Sequence, residues 1–176
     1  PLTIVGNTKL SPINYKQDIA SAQVKSCLML ASLFIEGESK FYEKIITRDH
    51  TENLLEHLEY DITRSNNETR IKGCEVLSAK DITIGSDISS AAFFIVAALI
   101  LNKSEIKIPN VNINKYRTGI IVVLEQMGAD ISILNKRVDS NENIADLIIK
   151  STQLKSINLG GEIISTLIDE LPILFI

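Results

Sequence analysis

The chain has 176 residues, of which 45% are hydrophobic and 23% charged, a balance that supports a buried core. Its formal net charge of −4 gives no electrostatic footprint for nucleic acid or an anionic membrane, so neither is an expected partner. No apolar run of about 18 residues is present to span a membrane, and Pro1-Leu2-Thr3-Ile4-Val5 lacks the regions of a signal peptide, so the expected compartment is the cytoplasm. Cys27 and Cys74 stand far apart without a neighbouring His and read as two buried thiols, not as metal or redox ligands.

In chain order, a Ser/Asp-rich start leads into apolar and small residues over 20–34, which predicts a helix. A strand is expected at 40–45, then an amphipathic helix at 50–58 with Leu54, Leu55 and Leu58 on one face. Strands at 61–64 and 69–72 follow, joined by the polar turn Ser65-Asn66-Asn67-Glu68. Residues 82–84 read as a strand, 89–101 as a second apolar helix and 105–108 as a strand. Next come a helix at 117–127 and strands at 130–134 and 145–150 around Asp139-Ser140-Asn141-Glu142-Asn143. The final stretch, 163–176, resembles another opening helix. It closes on Leu171-Pro172-Ile173-Leu174-Phe175-Ile176, with no polar tail. Termini are usually solvated, so the expectation is a truncated chain.

The order repeats. Asp18-Ile19-Ala20-Ser21-Ala22 matches Asp87-Ile88-Ser89-Ser90-Ala91 at an offset of 69 (87 − 18), and the same offset joins Arg48 to Arg117 and Asp61-Ile62 to Asp130-Ile131. Anchors at one offset, with similar patterns between them, argue for two copies of one structural unit and an α/β fold. The opening helices are apolar almost all round, which predicts burial on most sides.

Three clusters carry potential chemistry. Ser21-Ala22-Gln23 opens the first helix, where free N–H groups and the helix dipole favour an anion, although Ser21 also serves as a simple cap. In Thr47-Arg48-Asp49-His50-Thr51-Glu52, Asp49 and Thr51 suit capping and Glu52 suits a first turn. Arg48 then lies just outside the helix, able to meet a phosphate with its guanidinium fork or to pair with Asp49. His50 and His57 have no further ligand nearby and read as polar-face residues. In Ile168-Asp169-Glu170-Leu171-Pro172, Asp169 is a cap or, beside an alcohol, a general base.

These pieces occur in a familiar order. With Gly85-Ser86-Asp87-Ile88-Ser89-Ser90-Ala91, Arg117-Thr118-Gly119 and Met127-Gly128-Ala129-Asp130-Ile131, the three clusters resemble the 5-enolpyruvylshikimate-3-phosphate synthases from about Leu10 to the end. The Ser-Ala-Gln and Thr-Arg-Asp-His-Thr-Glu wording looks like the bacterial glyphosate-tolerant branch. The resemblance implies the enolpyruvyl transferase fold: repeated βαβαββ-type units with buried helices in two similar lobes. Residues 1–84 would be the last part of the first lobe and 85–176 the first part of the second, both incomplete.

The family transfers the enolpyruvyl group of phosphoenolpyruvate to the 5-hydroxyl of shikimate 3-phosphate by addition and elimination, releasing phosphate in aromatic amino-acid biosynthesis. The resemblance implies no cofactor and no metal, and a monomer at full length. Carried over by motif, Ser21 and Ala22 resemble the shikimate 3-phosphate-binding pair, Gln23 the residue where the two substrates meet, and Arg48 a further shikimate 3-phosphate contact. Asp169 resembles the carboxylate that binds the substrate hydroxyls and accepts the proton. The family's N-terminal Lys-Ser and Arg, its phosphoenolpyruvate-binding Arg and its later Lys, Glu and Arg residues fall outside 1–176, which implies that this stretch alone is inactive. Two other readings stand beside this one: the sister UDP-N-acetylglucosamine enolpyruvyl transferase, and a non-catalytic α/β repeat module. Neither cysteine sits on the mobile glycine-bearing loop the sister enzyme uses.

Overall fold

A computed structural model describes residues 1–7 and 9–176, with the backbone alone for Glu162 and Ser165. The chain forms two compact units, Pro1–Lys80 and Asp81–Ile176.

The first unit runs β1 (Asn14–Gln17), α1 (Ala22–Ser32), β2 (Gly37–Glu43), α2 (His50–His57), β3 (Ile62–Ser65) and β4 (Glu68–Gly73), which is a βαβαββ unit. Its sheet has the order β1-β2-β4-β3. β1 lies parallel to β2, with Tyr15 opposite Phe41, and α1 is the crossover between them. The other pairings are antiparallel. Met29, Phe41, Leu55, Tyr60 and Ile71 form the core between helices and sheet.

The second unit repeats this plan with α3 (Ile88–Ile100), β5 (Glu105–Asn112), α4 (Gly119–Gln126), β6 (Asp130–Asp139) and β7 (Glu142–Lys150), sheet order β5-β7-β6. The offset of 69 read from the sequence carries α2 onto α4 at both ends (119 − 50 and 126 − 57). The strand expected at 82–84 does not form. Its place is taken by a single parallel bridge from Ser86 to Val111, in which Ser86 N–H donates to Asn110 O at 2.7 Å and Asn112 N–H to Ser86 O at 2.9 Å. β1, by contrast, is a four-residue strand that the apolar pattern of its sequence did not announce.

The closing β6–β7 hairpin is longer than the periodicity predicts, because both partners of β7 carry an irregularity. Asp146 in β7 serves both: it accepts from Asn110 N–H and from Asn135 Nδ2, each at 3.1 Å, and Lys107 pairs with it at 2.8 Å. The segment expected as a helix over 163–176 is broken into 3-10 turns at Gly161–Thr166 and Ile168–Glu170 and a short helix α5 (Leu171–Leu174). Leu167 and Ile173 from this segment join the core built by Ile95, Leu99, Ile120, Leu124, Leu147 and Ile149.

Burial corrects two expectations. α1 and α3 are buried on the face that meets their own sheet and open on the other, where Val24, Leu30, Phe93 and Phe94 are exposed. A single sheet per unit covers only one side of a helix, however apolar its sequence. Cys27 and Cys74 are exposed, not buried. Cys27 is two residues from Lys25, about 200° round the helix, and therefore faces away from the sheet that buries Lys25 and Met29.

Gly73 ends β4 opposite Gly37. A Cβ there would collide with the carbonyl oxygen of Ile35 and come within 2.5 Å of that of Ser32, both backbone atoms that cannot swing aside. Gly73→Ala is expected to lower stability by about 1–3 kcal/mol, read as a fall in the urea midpoint. Gly6→Ala, with nothing within 4 Å, leaves the midpoint unchanged.

Candidate functional site

Of the sequence-predicted residues of the first unit, Ala22, Gln23 and Arg48 come together in one pocket, and Ser21 stands next to Ala22 outside its lining. Ser21 is the N-cap of α1, with extended φ −152° and ψ 105°, and its Oγ accepts from Val24 N–H at 3.3 Å. Its carbonyl accepts from Gln17 Nε2 at 2.8 Å, which ties the end of β1 to the start of the helix. Ala22, Gln23 and Ser26 of α1 line an open pocket of about 200 Å³ together with Arg48 and His50. Arg48 and His50 stand at the start of α2, so the first turns of two helices and a guanidinium share one concavity. Such an arrangement favours a phosphate-sized anion, because helix N-termini present unused N–H groups and a positive dipole end.

The capping expectations for α2 need correction. Asp49 occupies the N-cap position but makes no capping bond with its side chain. Its carboxylate instead pairs with Arg64 of β3 at 2.7 Å, and Arg64 also donates to Asn53 Oδ1 at 2.9 Å. Thr51 does not cap either: its hydroxyl donates to Ser26 Oγ at 2.8 Å, joining α2 to α1 beside the pocket. Glu52 stands in the first turn of α2 as expected and is 1% exposed. It faces Lys25 of α1, whose ammonium lies 2.6 Å from Glu52 Oε1 and 2.9 Å from Glu43 Oε2. Burial pushes the Glu52 carboxyl above its usual range even though the Lys25 charge pulls it down.

Lys25, Glu43 and Arg64 had no role in the sequence reading. The available signal was Lys25 itself, a lone charge four residues before Met29 on the buried stripe of an apolar helix.

In the second unit, Asp169 lies exposed on the 3-10 turn Ile168–Glu170, just before α5 with Pro172 in its first turn. Glu170, not Asp169, holds the N-cap position, and its carboxylate is buried. Glu170 accepts a short hydrogen bond from Ser89 Oγ, and Ser89 Oγ in turn accepts from Arg117 at 2.7 Å. Arg117 also pairs at 2.8 Å with Asp87, the N-cap of α3. Burial raises the Asp87 carboxyl, but the bonds from Ser90 and the Arg117 charge outweigh it, and the group sits below its usual range. The turn bearing Asp169 is thus clamped to the start of α3 through its neighbour.

The repeat is therefore not chemically symmetric. At equivalent positions, Arg117 enters an internal network with Asp87 and Ser89, while Arg48 lines a pocket. α1 also begins three residues later than the repeat register requires, since Asp87 caps α3 whereas Ser21, not Asp18, caps α1.

The EPSP synthase (3-phosphoshikimate 1-carboxyvinyltransferase) family model matches residues 1–176. A 3-phosphoshikimate 1-carboxyvinyltransferase of Petrotoga mobilis is 46% identical over 177 residues, covering 100% of this chain and 41% of the relative. Its counterpart in Crocosphaera subtropica is 47% identical, covering 99% of this chain and 39% of the relative. Among solved structures, EPSP synthase from Acinetobacter baumannii superposes with a TM-score of 0.86 at 43% identity, over 98% of this chain and 39% of that one. The enolpyruvyl transferase NikO from Streptomyces tendae, at 16% identity, TM-score 0.62, and 83% and 36% coverage, shares the fold. The chain spans about two-fifths of the length of the curated relatives it matches. None of the described helices is long and apolar enough to cross a membrane. Matched along its whole length by the family model and by relatives 46–47% identical to it, the chain belongs to the EPSP synthase (3-phosphoshikimate 1-carboxyvinyltransferase) family.

Proposed function

We propose that this chain is part of a cytoplasmic enzyme that transfers the enolpyruvyl group of phosphoenolpyruvate to the 5-hydroxyl of shikimate 3-phosphate, with release of phosphate. The observation that carries the reading is the pocket of Ala22, Gln23, Ser26, Arg48 and His50, in a chain that matches the family throughout. Ser21 and Ala22 hold shikimate 3-phosphate at the first turn of α1, Arg48 adds a charged contact to it, and Gln23 stands where the two substrates meet. Asp169 takes the hydroxyl proton as the oxygen attacks C2 of phosphoenolpyruvate, and an acid outside residues 1–176 protonates the methylene carbon. Loss of a methyl proton together with phosphate from the tetrahedral adduct then restores the double bond and completes the transfer. Residues 1–84 are assigned to the end of one lobe and 85–176 to the start of the other. Two compact units that part near residue 80 support that assignment. The wording of Ser21-Ala22-Gln23 and of the stretch around Arg48 supports the bacterial glyphosate-tolerant branch.

The test is acceptor choice in a synthase of the relatives' full length carrying this segment. Inorganic phosphate is expected from phosphoenolpyruvate with shikimate 3-phosphate, and none with UDP-N-acetylglucosamine. The 176 residues alone are expected to release none. Turnover of the sugar nucleotide instead, or of neither acceptor by the full-length protein, overturns the reading.

A further inference from the structure

A lysine that is 1% exposed is costly unless its charge is met, and a methionine would fill the same space without that cost. What Lys25 fixes in place is therefore the question. Its ammonium bridges Glu43, at the end of β2, and Glu52, in the first turn of α2, at 2.9 and 2.6 Å. Three links lead from this bridge toward the pocket. Lys25 N–H donates to Ser21 O at 3.2 Å, within the helical turn that presents Ala22 and Gln23. Glu43 Oε1 accepts from the Thr47 N–H at 3.0 Å and from the Thr47 hydroxyl at 2.5 Å, next to Arg48. Glu52 lies two residues after His50. Two carboxylates meet one ammonium, and Glu52 Oε2 is buried with no hydrogen-bond partner among the described residues. Packing economy alone does not favour that arrangement.

We propose that Lys25 is a positioning residue: held between Glu43 and Glu52, it sets the loop bearing Arg48 against the first turn of α1 at the spacing a bound phosphate requires. The proposal rests on the assignment of this pocket to shikimate 3-phosphate. It deepens that assignment by giving the cation's placement to a residue that never touches the ligand. The Ser26–Thr51 bond ties α1 to α2 without passing through the bridge.

The experiment is steady-state kinetics on the full-length synthase with Lys25→Met and, separately, Glu43→Gln, which keeps the shape of its side chain and loses the charge. Misplacement of a binding group by a fraction of an ångström predicts a rise of roughly 10-fold in KM for shikimate 3-phosphate, with kcat within about 3-fold. A packing role predicts a lower melting temperature and unchanged KM in the folded protein. Should Lys25→Met fail to fold, Glu43→Gln decides. An unchanged KM in a folded variant, or a loss confined to kcat, overturns the proposal. Arg48→Met is measured alongside. If it leaves KM unchanged, the pocket assignment itself has failed; if it raises KM while Lys25→Met and Glu43→Gln do not, only the positioning role has.

Discussion

Asp169→Asn in a full-length synthase carrying this segment is expected to lower kcat by about 10²–10⁴-fold, the usual contribution of a general base, with KM for shikimate 3-phosphate changed only a few-fold. Asparagine keeps the size of aspartate and can still hydrogen-bond a hydroxyl, but it cannot take its proton. Asp169 is exposed, and its turn is held by the bonds of Glu170, Ser89 and Arg117 as well. The loss is therefore expected in turnover more than in melting temperature. Glu170→Gln should behave in the opposite way, weakening the buried bond to Ser89 and lowering stability more than turnover. The check is a kcat and KM pair for each variant beside a thermal melt. A kcat that survives Asp169→Asn removes this carboxylate from the proton transfer.

Arg48→Met is expected to raise KM for shikimate 3-phosphate by roughly 10–100-fold, the loss of a charge-assisted hydrogen bond of about 1.5–3 kcal/mol. Two features separate this from a folding effect. Asp49, the adjacent carboxylate, is already held by Arg64 at 2.7 Å, so that ion pair stands after the substitution. Met also keeps the aliphatic stem that lines the pocket. Arg48→Lys should fall between the two, since the ammonium retains charge but not the planar fork that meets two phosphate oxygens. The wild-type advantage should shrink at high salt, as expected for a contact open to solvent. Equal KM values for all three proteins would take Arg48 out of the binding site.

Much of the architecture was legible because it rests on local chemistry. A Ser or Asp ahead of an apolar run announced α1 and α3, and the polar pairs at Asn66-Asn67 and Ser140-Asn141 announced the hairpin turns. What misled was the assumption that apolar means buried. Phe93 and Phe94 are 57% and 65% exposed in a helix whose sequence reads as a core element on all sides. Composition reports how much surface a helix wants to bury. Only the number of neighbours reports how much it does.

The candidate residues show the same division. The sequence singled out Ser21, Gln23, Arg48 and Asp169 as candidates through their motifs, and the 69-residue repeat through its anchors. It could not show that Arg48 lines a pocket while Arg117, equivalent in the repeat, pairs with Asp87, because that depends on what folds beside each one.

By itself, then, the sequence determined the α/β units, their order and the family they belong to, since helix starts, turn residues and apolar periods act over a few neighbours. The tertiary structure alone decided that Lys25 meets Glu43 and Glu52, which are 18 and 27 positions away (43 − 25 and 52 − 25). It also decided that Asp49 pairs with Arg64 and makes no side-chain capping bond, and that Cys27 faces away from the core. Ion pairing and burial are properties of places brought together by the sheet, and no local pattern records which places those are.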